Sequence, residues 1–343
     1  MTTHAQQRPL VAPIPFVSDS GAVTVPSFAL PFSSFASTEA RAAFTSRLRT
    51  TARPMPTDVG VPDLAAMRQM ANDGLRPALA AYAARHPFTV AKEQIGDVPV
   101  EIFMPAAGIA PDNEERVLIA IHGGGFDKGG GGVAGAVEAV PIAGIGRIKV
   151  VAVDYRLLPE HTLQDAVDDV MTVYRRVLQT HEPENIGVYG CSAGGALTGW
   201  AVAACLRQDL PVPGAVGIFC ASLHGFIGGD SAQLWPRLGS VVRLLSPPDC
   251  RVPPNPLDPT DSELNEFPAA LFLTGTRAFD MSGAVQSHLV LHGLGVETHL
   301  LLFDGLDHGF FVFESGLPET RRAHECIARF FVEHLGSKRT AGM

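Results

Sequence analysis

The sequence predicts a mostly parallel, doubly wound α/β sheet. Short, unbroken apolar runs recur from residue 117 onward, and helical stretches lie between most of them. A strand–turn–helix corner falls at Gly190-Cys191-Ser192-Ala193-Gly194. A strand buried on both faces reads as a continuous apolar run, and strands alternating with helices build parallel sheets. Such sheets bind ligands at the carboxyl ends of their strands.

The elements follow in order. Residues 1 to about 35 are rich in Pro, Ser and Thr and read as extended or irregular chain. Ser37-Thr38-Glu39 can cap a helix running to about Arg49. Asp63 to Arg85 predicts one or two alanine-rich helices. Phe88 to Gln94 and Val98 to Met104 look like paired strands. The buried strands are then Val117 to Ile121, Val150 to Val153, Ile186 to Tyr189, Val216 to Cys220, Ala269 to Leu273 and Thr298 to Phe303. Between them, Ala166, Val167, Val170, Val173, Tyr174 and Val177 recur at helical spacing. Thr162 and Asp165 open that helix as a capping box.

One interval breaks the rhythm. The stretch from Cys220 to Phe267 is too long for an ordinary connection. Phe226, Leu234, Trp235, Leu238 and Leu244 give it apolar contacts, and a Pro-rich run, Pro247 to Pro259, lies near its end. It reads as an insertion at about 222–265 that packs with residues 1–85 as a cap over a core of 86–343.

Composition excludes several functions. With 343 residues and 46% hydrophobic content the chain can bury a large core. A net charge of −9 argues against nucleic-acid binding. The cysteines are scattered without a C-x-x-C pair, which points to reduced thiols and a cytoplasmic setting. No signal peptide is expected at the N-terminus, and no membrane span, because no window reaches ~18 uninterrupted apolar residues.

The chemistry centres on Ser192. G-x-S-x-G places a serine on a sharp turn between strand and helix. A serine hydroxyl needs a base, a group to orient the base, and donors for an oxyanion. His122-Gly123-Gly124-Gly125-Phe126 follows a strand, so its N–H groups can face a ligand unobstructed. Gly124, Gly125 and Ala193 are the expected oxyanion donors. No phosphate loop is expected, since no Gly-Lys-Ser/Thr follows the glycines. His308, just past the last strand, is the expected base. Asp280 is the only carboxylate in the loop after Ala269 to Leu273 and is the expected acid. Asp304 and Asp307, on the histidine's own loop, are its rivals. His288 and His292 lie four apart and read as a solvated helix face. His122 reads as a brace for its own loop, and no metal ligand set is expected.

These residues resemble the bacterial hormone-sensitive-lipase family of α/β-hydrolase esterases. The resemblance rests on His122 to Phe126, Asp154-Tyr155-Arg156-Leu157-Leu158-Pro159-Glu160, Gly190 to Gly195, and His308-Gly309-Phe310. It spans about residue 85 to the C-terminus. It implies an eight-stranded sheet, a helical cap, no cofactor, a small-molecule ester substrate with a short acyl chain, and in many members a homodimer. Amide hydrolysis, deacetylation or elimination on the same scaffold stays open, as does a ligand-binding relative without turnover. Three positions depart from the family pattern. Cys191 stands where an acidic residue commonly precedes the serine. Ala278 stands at the usual acid position, two residues before Asp280. The segment Asp127 to Gly132 is unusually glycine-rich and charged, and Lys128 within it reads as solvated. Arg156 and Glu160 are expected to pair around the turn before Thr162.

Overall fold

The computed structural model describes residues 16–19, 23–24, 30–51, 63–130, 132–224, 228–234 and 255–336. A two-residue antiparallel pair, β1 (Phe16–Val17) and β2 (Val23–Thr24), precedes the helices. Helix α1 (Thr38–Thr51) begins where Ser37 Oγ accepts the N–H of Ala40. Residues 63–85 form one helix, α2 (Leu64–Arg85), capped by Asp63 and burying Leu75, Ala78 and Tyr82.

The main sheet has the order β10-β9-β8-β7-β5-β6-β4-β3. Strands β3 (Phe88–Ile95) and β4 (Val98–Pro105) form an antiparallel hairpin. Strand β4 joins β6 (Lys149–Val153) antiparallel. The remaining pairs, among β5 (Val117–Ile121), β6, β7 (Ile186–Cys191), β8 (Ala215–Phe219), β9 (Ala269–Gly275) and β10 (Thr298–Phe303), are parallel. Every residue of β5, β7 and β8 is buried, which is why these strands read as unbroken apolar runs. Strand β10 corrects one expectation. It is an edge strand with no fully buried residue, and Leu302 is 42% exposed.

Helices cover both faces. On one, α4 (Leu163–Val177) and α5 (Ala193–Arg207) bury Val167, Val170, Ala196 and Leu197 against the sheet. On the other, α3 (Val133–Gly146) and the C-terminal helix, numbered below, bury Ala139, Val140, Ile327 and Phe331, with Tyr82 of α2 packed outside them. The capping box of Thr162 and Asp165 is formed. Short helices α6 (Asp230–Leu234) and α7 (Asp261–Leu264) lie in the stretch between β8 and β9. Phe226, Trp235, Leu238 and Leu244, and Leu234's side chain, lie outside the described residues. After α8 (Met281–Gly293) come α9 (Phe310–Phe313) and α10 (Pro318–His334).

The order places β5 between β6 and β7. The chain runs from β5 to β6 on one side and then crosses back to β7 on the other. The carboxyl ends of β5 and β7 therefore flank the switch point where open α/β sheets bind ligands. The Arg156–Glu160 pair is not formed. Arg156 instead bonds Asp165 and Asp169 of α4. Glu160 turns outward to Arg68 of α2. The arginine fork finds two carboxylates across a helical turn, which one glutamate four residues away cannot match.

Candidate active site

Ser192 occupies the turn between β7 and α5 with φ 59° and ψ −119°. Such a conformation costs a non-glycine residue on the order of 1–3 kcal/mol. Ser192 N–H donating to Phe219 O at 2.8 Å holds the turn in place. Its tightness explains the flanking glycines. A Cβ on Gly194 would lie 1.8 Å from Ile121 O, and one on Gly190 2.3 Å from the same atom.

His308 follows β10 through the turn at 304–306. Its Nε2 lies 3.0 Å from Ser192 Oγ, and its Nδ1 lies 2.6 Å from Asp280 Oδ1. A carboxylate only accepts, so Nδ1 carries the proton and Nε2 is left to accept from the serine hydroxyl. The route from β9 to Asp280 accounts for Ala278. The N–H of Ala278 donates to Gly275 O at 3.1 Å, closing a turn with the alanine side chain buried. Two residues later, Thr274 Oγ1 donates to Asp280 Oδ2 at 2.6 Å and fixes the second carboxylate oxygen. Asp280 precedes α8, but its side chain does not cap it. Asp304 bonds Thr276 and Ser33, and Asp307 pairs with Arg47 of α1 at 3.0 Å. Burial pushes the Asp307 carboxyl upward, and Arg47 only partly offsets this.

Gly124 and Gly125 have φ of 130° and 67°. Among the described residues, the N–H groups of Gly124, Gly125 and Ala193 donate to no protein acceptor. Gly124 and Gly125 line the same cavity as Ser192, and Ala193 follows the serine at the start of α5. His122 stays within its own loop, with Nδ1 2.7 Å from Gly123 O and its ring stacked on Tyr155. Burial lowers its pKa and keeps it neutral at neutral pH. His288 and His292 stack on α8, away from this cluster.

Several neighbours escaped sequence reasoning. Glu138 of α3 accepts the N–H of Gly123 at 2.8 Å through Oε1 and that of Cys191 at 3.0 Å through Oε2. Burial pushes its carboxyl up to about 8 against those two stabilising donors. Cys220 Sγ accepts the N–H of Gly309 at 3.2 Å and braces the histidine loop. Arg68 of α2 donates to Asp127 O and Leu158 O, both at 2.9 Å, while pairing with Glu160. The readable signal for Glu138 was its position as the lone charge in an apolar helix. Arg68 and Cys220 left none, because their partners lie far away in sequence.

A cavity of about 230 Å³ opens on Ser192 and His308, walled by Leu75, Val137, Val312 and Phe313. Lys128, paired with Asp127 at 2.6 Å, also lines it. Among the described residues, two groups have metal-ligand spacing. One, Cys220, Asp280 and His308, is already joined in the hydrogen-bonded cluster; the other is Glu297, His299 and His334 at the surface. No helix among the described residues is long and apolar enough to cross a membrane.

A cavity-lining serine on a strand–helix turn, with a histidine and a buried carboxylate past the carboxyl ends of the strands, defines an α/β hydrolase. A family model of the alpha/beta hydrolase fold matches residues 118–312, and the chain belongs to this family. Carboxylesterase NlhH of Mycobacterium tuberculosis is 30% identical over 257 residues, which cover 68% of this chain and 78% of that protein. Esterase LipU of the same organism is 28% identical over 249 residues, covering 67% and 82%. Among solved structures, esterase E25 superposes with a TM-score of 0.76 at 27% identity, covering 91% of this chain and 98% of that one. An esterase of the bacterial hormone-sensitive lipase family shares the fold with a TM-score of 0.69 at 23% identity.

Proposed function

We propose that this carboxylic ester hydrolase cleaves short-chain esters through an acyl-enzyme on Ser192. His308 takes the serine proton as Oγ attacks the ester carbonyl. Gly124, Gly125 and Ala193 donate N–H bonds to the resulting oxyanion. His308 then protonates the departing alkoxide. In the second half, His308 takes a proton from water, the hydroxide attacks the acyl carbon, and the acid leaves as Ser192 regains its proton. Asp280 holds the imidazole tautomer and stabilises its positive charge.

The observation that supports this most directly is the continuous chain from Asp280 through His308 to Ser192, at 2.6 and 3.0 Å. The small cavity supports the short acyl chain, since pockets for drug-sized ligands run from roughly 300 Å³ upward. We read α2 as part of a cap, because Leu75 lines that cavity and Arg68 and Asn72 bond the loop beneath. Ser192→Ala tests the mechanism. Turnover of p-nitrophenyl butyrate should vanish while circular dichroism stays unchanged. Undiminished turnover would remove Ser192 as the nucleophile.

A further inference from the structure

We infer that Glu138 is a positioning residue that clamps the oxyanion loop to the serine turn, and so sets the distance between the donors of the two segments. This inference rests on the mechanism proposed above. The two segments leave neighbouring strands, with Ile121 of β5 paired to Gly190 of β7. Gly124 and Gly125 lie on one and Ala193 on the other, so the hole forms only if the segments keep a fixed separation. Strand pairing ends at residues 121 and 190, before either set of donors.

Glu138 supplies the missing link. Its planar carboxyl group accepts one N–H from each segment, at 2.8 and 3.0 Å, and each oxygen keeps a lone pair for its donor whether or not the group carries a proton. The bonded residues, Gly123 and Cys191, stand immediately before Gly124 and Ser192. A rigid group with both oxygens engaged transmits the position of one segment to the other. Its own helix is anchored in turn, for Tyr189 Oη donates to Glu138 O at 3.1 Å. No cation contacts the carboxylate among the described residues. The groups that feel its charge are the phenols of Tyr155 and Tyr189 and the buried Cys191 thiol. Lys128, Ser192 and His308 line the same cavity, and Asp127, Asp154 and Asp280 lie beyond these groups. The arrangement also accounts for Cys191. The carboxylate absent from the residue before the serine is delivered to that residue's own N–H from helix α3.

The test is Glu138→Gln. The amide keeps the shape but can accept only one of the two N–H groups, because its NH₂ faces the other donor. A misplacement on the order of 1 Å, or one lost oxyanion donor, costs roughly 10²-fold in rate. We expect kcat for p-nitrophenyl butyrate to fall roughly 10²-fold with KM within about threefold. Val140→Ala, a buried truncation on the same helix, should lower stability and leave kcat nearly unchanged. Glu138→Asp, one methylene too short to span both donors, should lose kcat likewise and serves if the glutamine variant does not fold. Wild-type kcat in either folded Glu138 variant, or an equal kcat loss in Val140→Ala, overturns the clamp. A serine-reactive phosphonate separates this from the parent reading. Absence of label on wild-type Ser192 removes the nucleophile, whereas label with unchanged variant kinetics removes the clamp alone.

Discussion

Glu138 gives the protein a stability that falls with rising pH, the reverse of an ordinary salt-bridged carboxylate. Burial raises its carboxyl from 4.5 to about 8. Between those values the folded protein holds a proton that the unfolded chain has released. Stability falls with pH wherever the folded state binds more protons. The contribution is therefore complete below pH 4.5 and is lost as pH rises to about 8. Each pH unit is worth about 1.4 kcal/mol, so the whole interval amounts to about 5 kcal/mol. That is a large share of a typical folding free energy of roughly 5–15 kcal/mol. Glu138→Gln removes the titration and keeps the volume. The assay is equilibrium urea unfolding, followed by tryptophan fluorescence, at whole pH values from 5 to 9. Groups common to both proteins cancel in the difference between wild type and variant. That difference should shift against wild type by about 4 kcal/mol from pH 5 to pH 8, then level off. A difference that stays constant from pH 5 to pH 8 means a glutamate ionised throughout, and refutes the reasoning.

Two further substitutions probe the site and its cover. Asp280→Asn should lower kcat roughly 10⁴-fold with little change in KM, because the amide favours the wrong imidazole tautomer; steady-state kinetics on p-nitrophenyl butyrate check this, and near-wild-type kcat would send the search to Asp304 or Asp307. Arg68→Ala breaks the bonds to Asp127 O and Leu158 O, which together carry roughly 1–3 kcal/mol. Urea unfolding should register that loss, while Glu160→Gln, which leaves both carbonyl bonds in place, should cost clearly less.

Sheet and helices were legible because their signals are local. Five-residue, β-branched apolar runs such as Val117–Ile121 are too short for an ordinary helix and read as strands buried on both faces, and Thr162 with Asp165 marks a helix start three residues apart. The strand at 298–303 misled in one respect. Its apolar run promised burial on both faces, but nothing pairs with its outer edge among the described residues. Arg156 misled for a related reason. Chain proximity favoured Glu160, while the structure offers the arginine two carboxylates one helical turn apart.

The site divides along the same line. Ser192, His308 and the glycines stand at the ends of legible strands, so motif and position agreed. Asp280 was harder, because its reach depends on a turn whose shape Ala278 and Thr274 set in three dimensions. Glu138 is the limiting case. Its partners are 15 and 53 residues away, and neither is a side chain that could announce a pair. A carboxylate in an otherwise apolar, buried helix is nonetheless a costly choice, since desolvation opposes its charge. Such a cost persists where the group answers donors that would otherwise stand buried and unpaired, as the N–H groups of Gly123 and Cys191 would. The lone charge in an apolar run is thus itself a sequence signal. It announces that some backbone pair elsewhere needs an acceptor, and at residue 138 that pair stands immediately before Gly124 and Ser192.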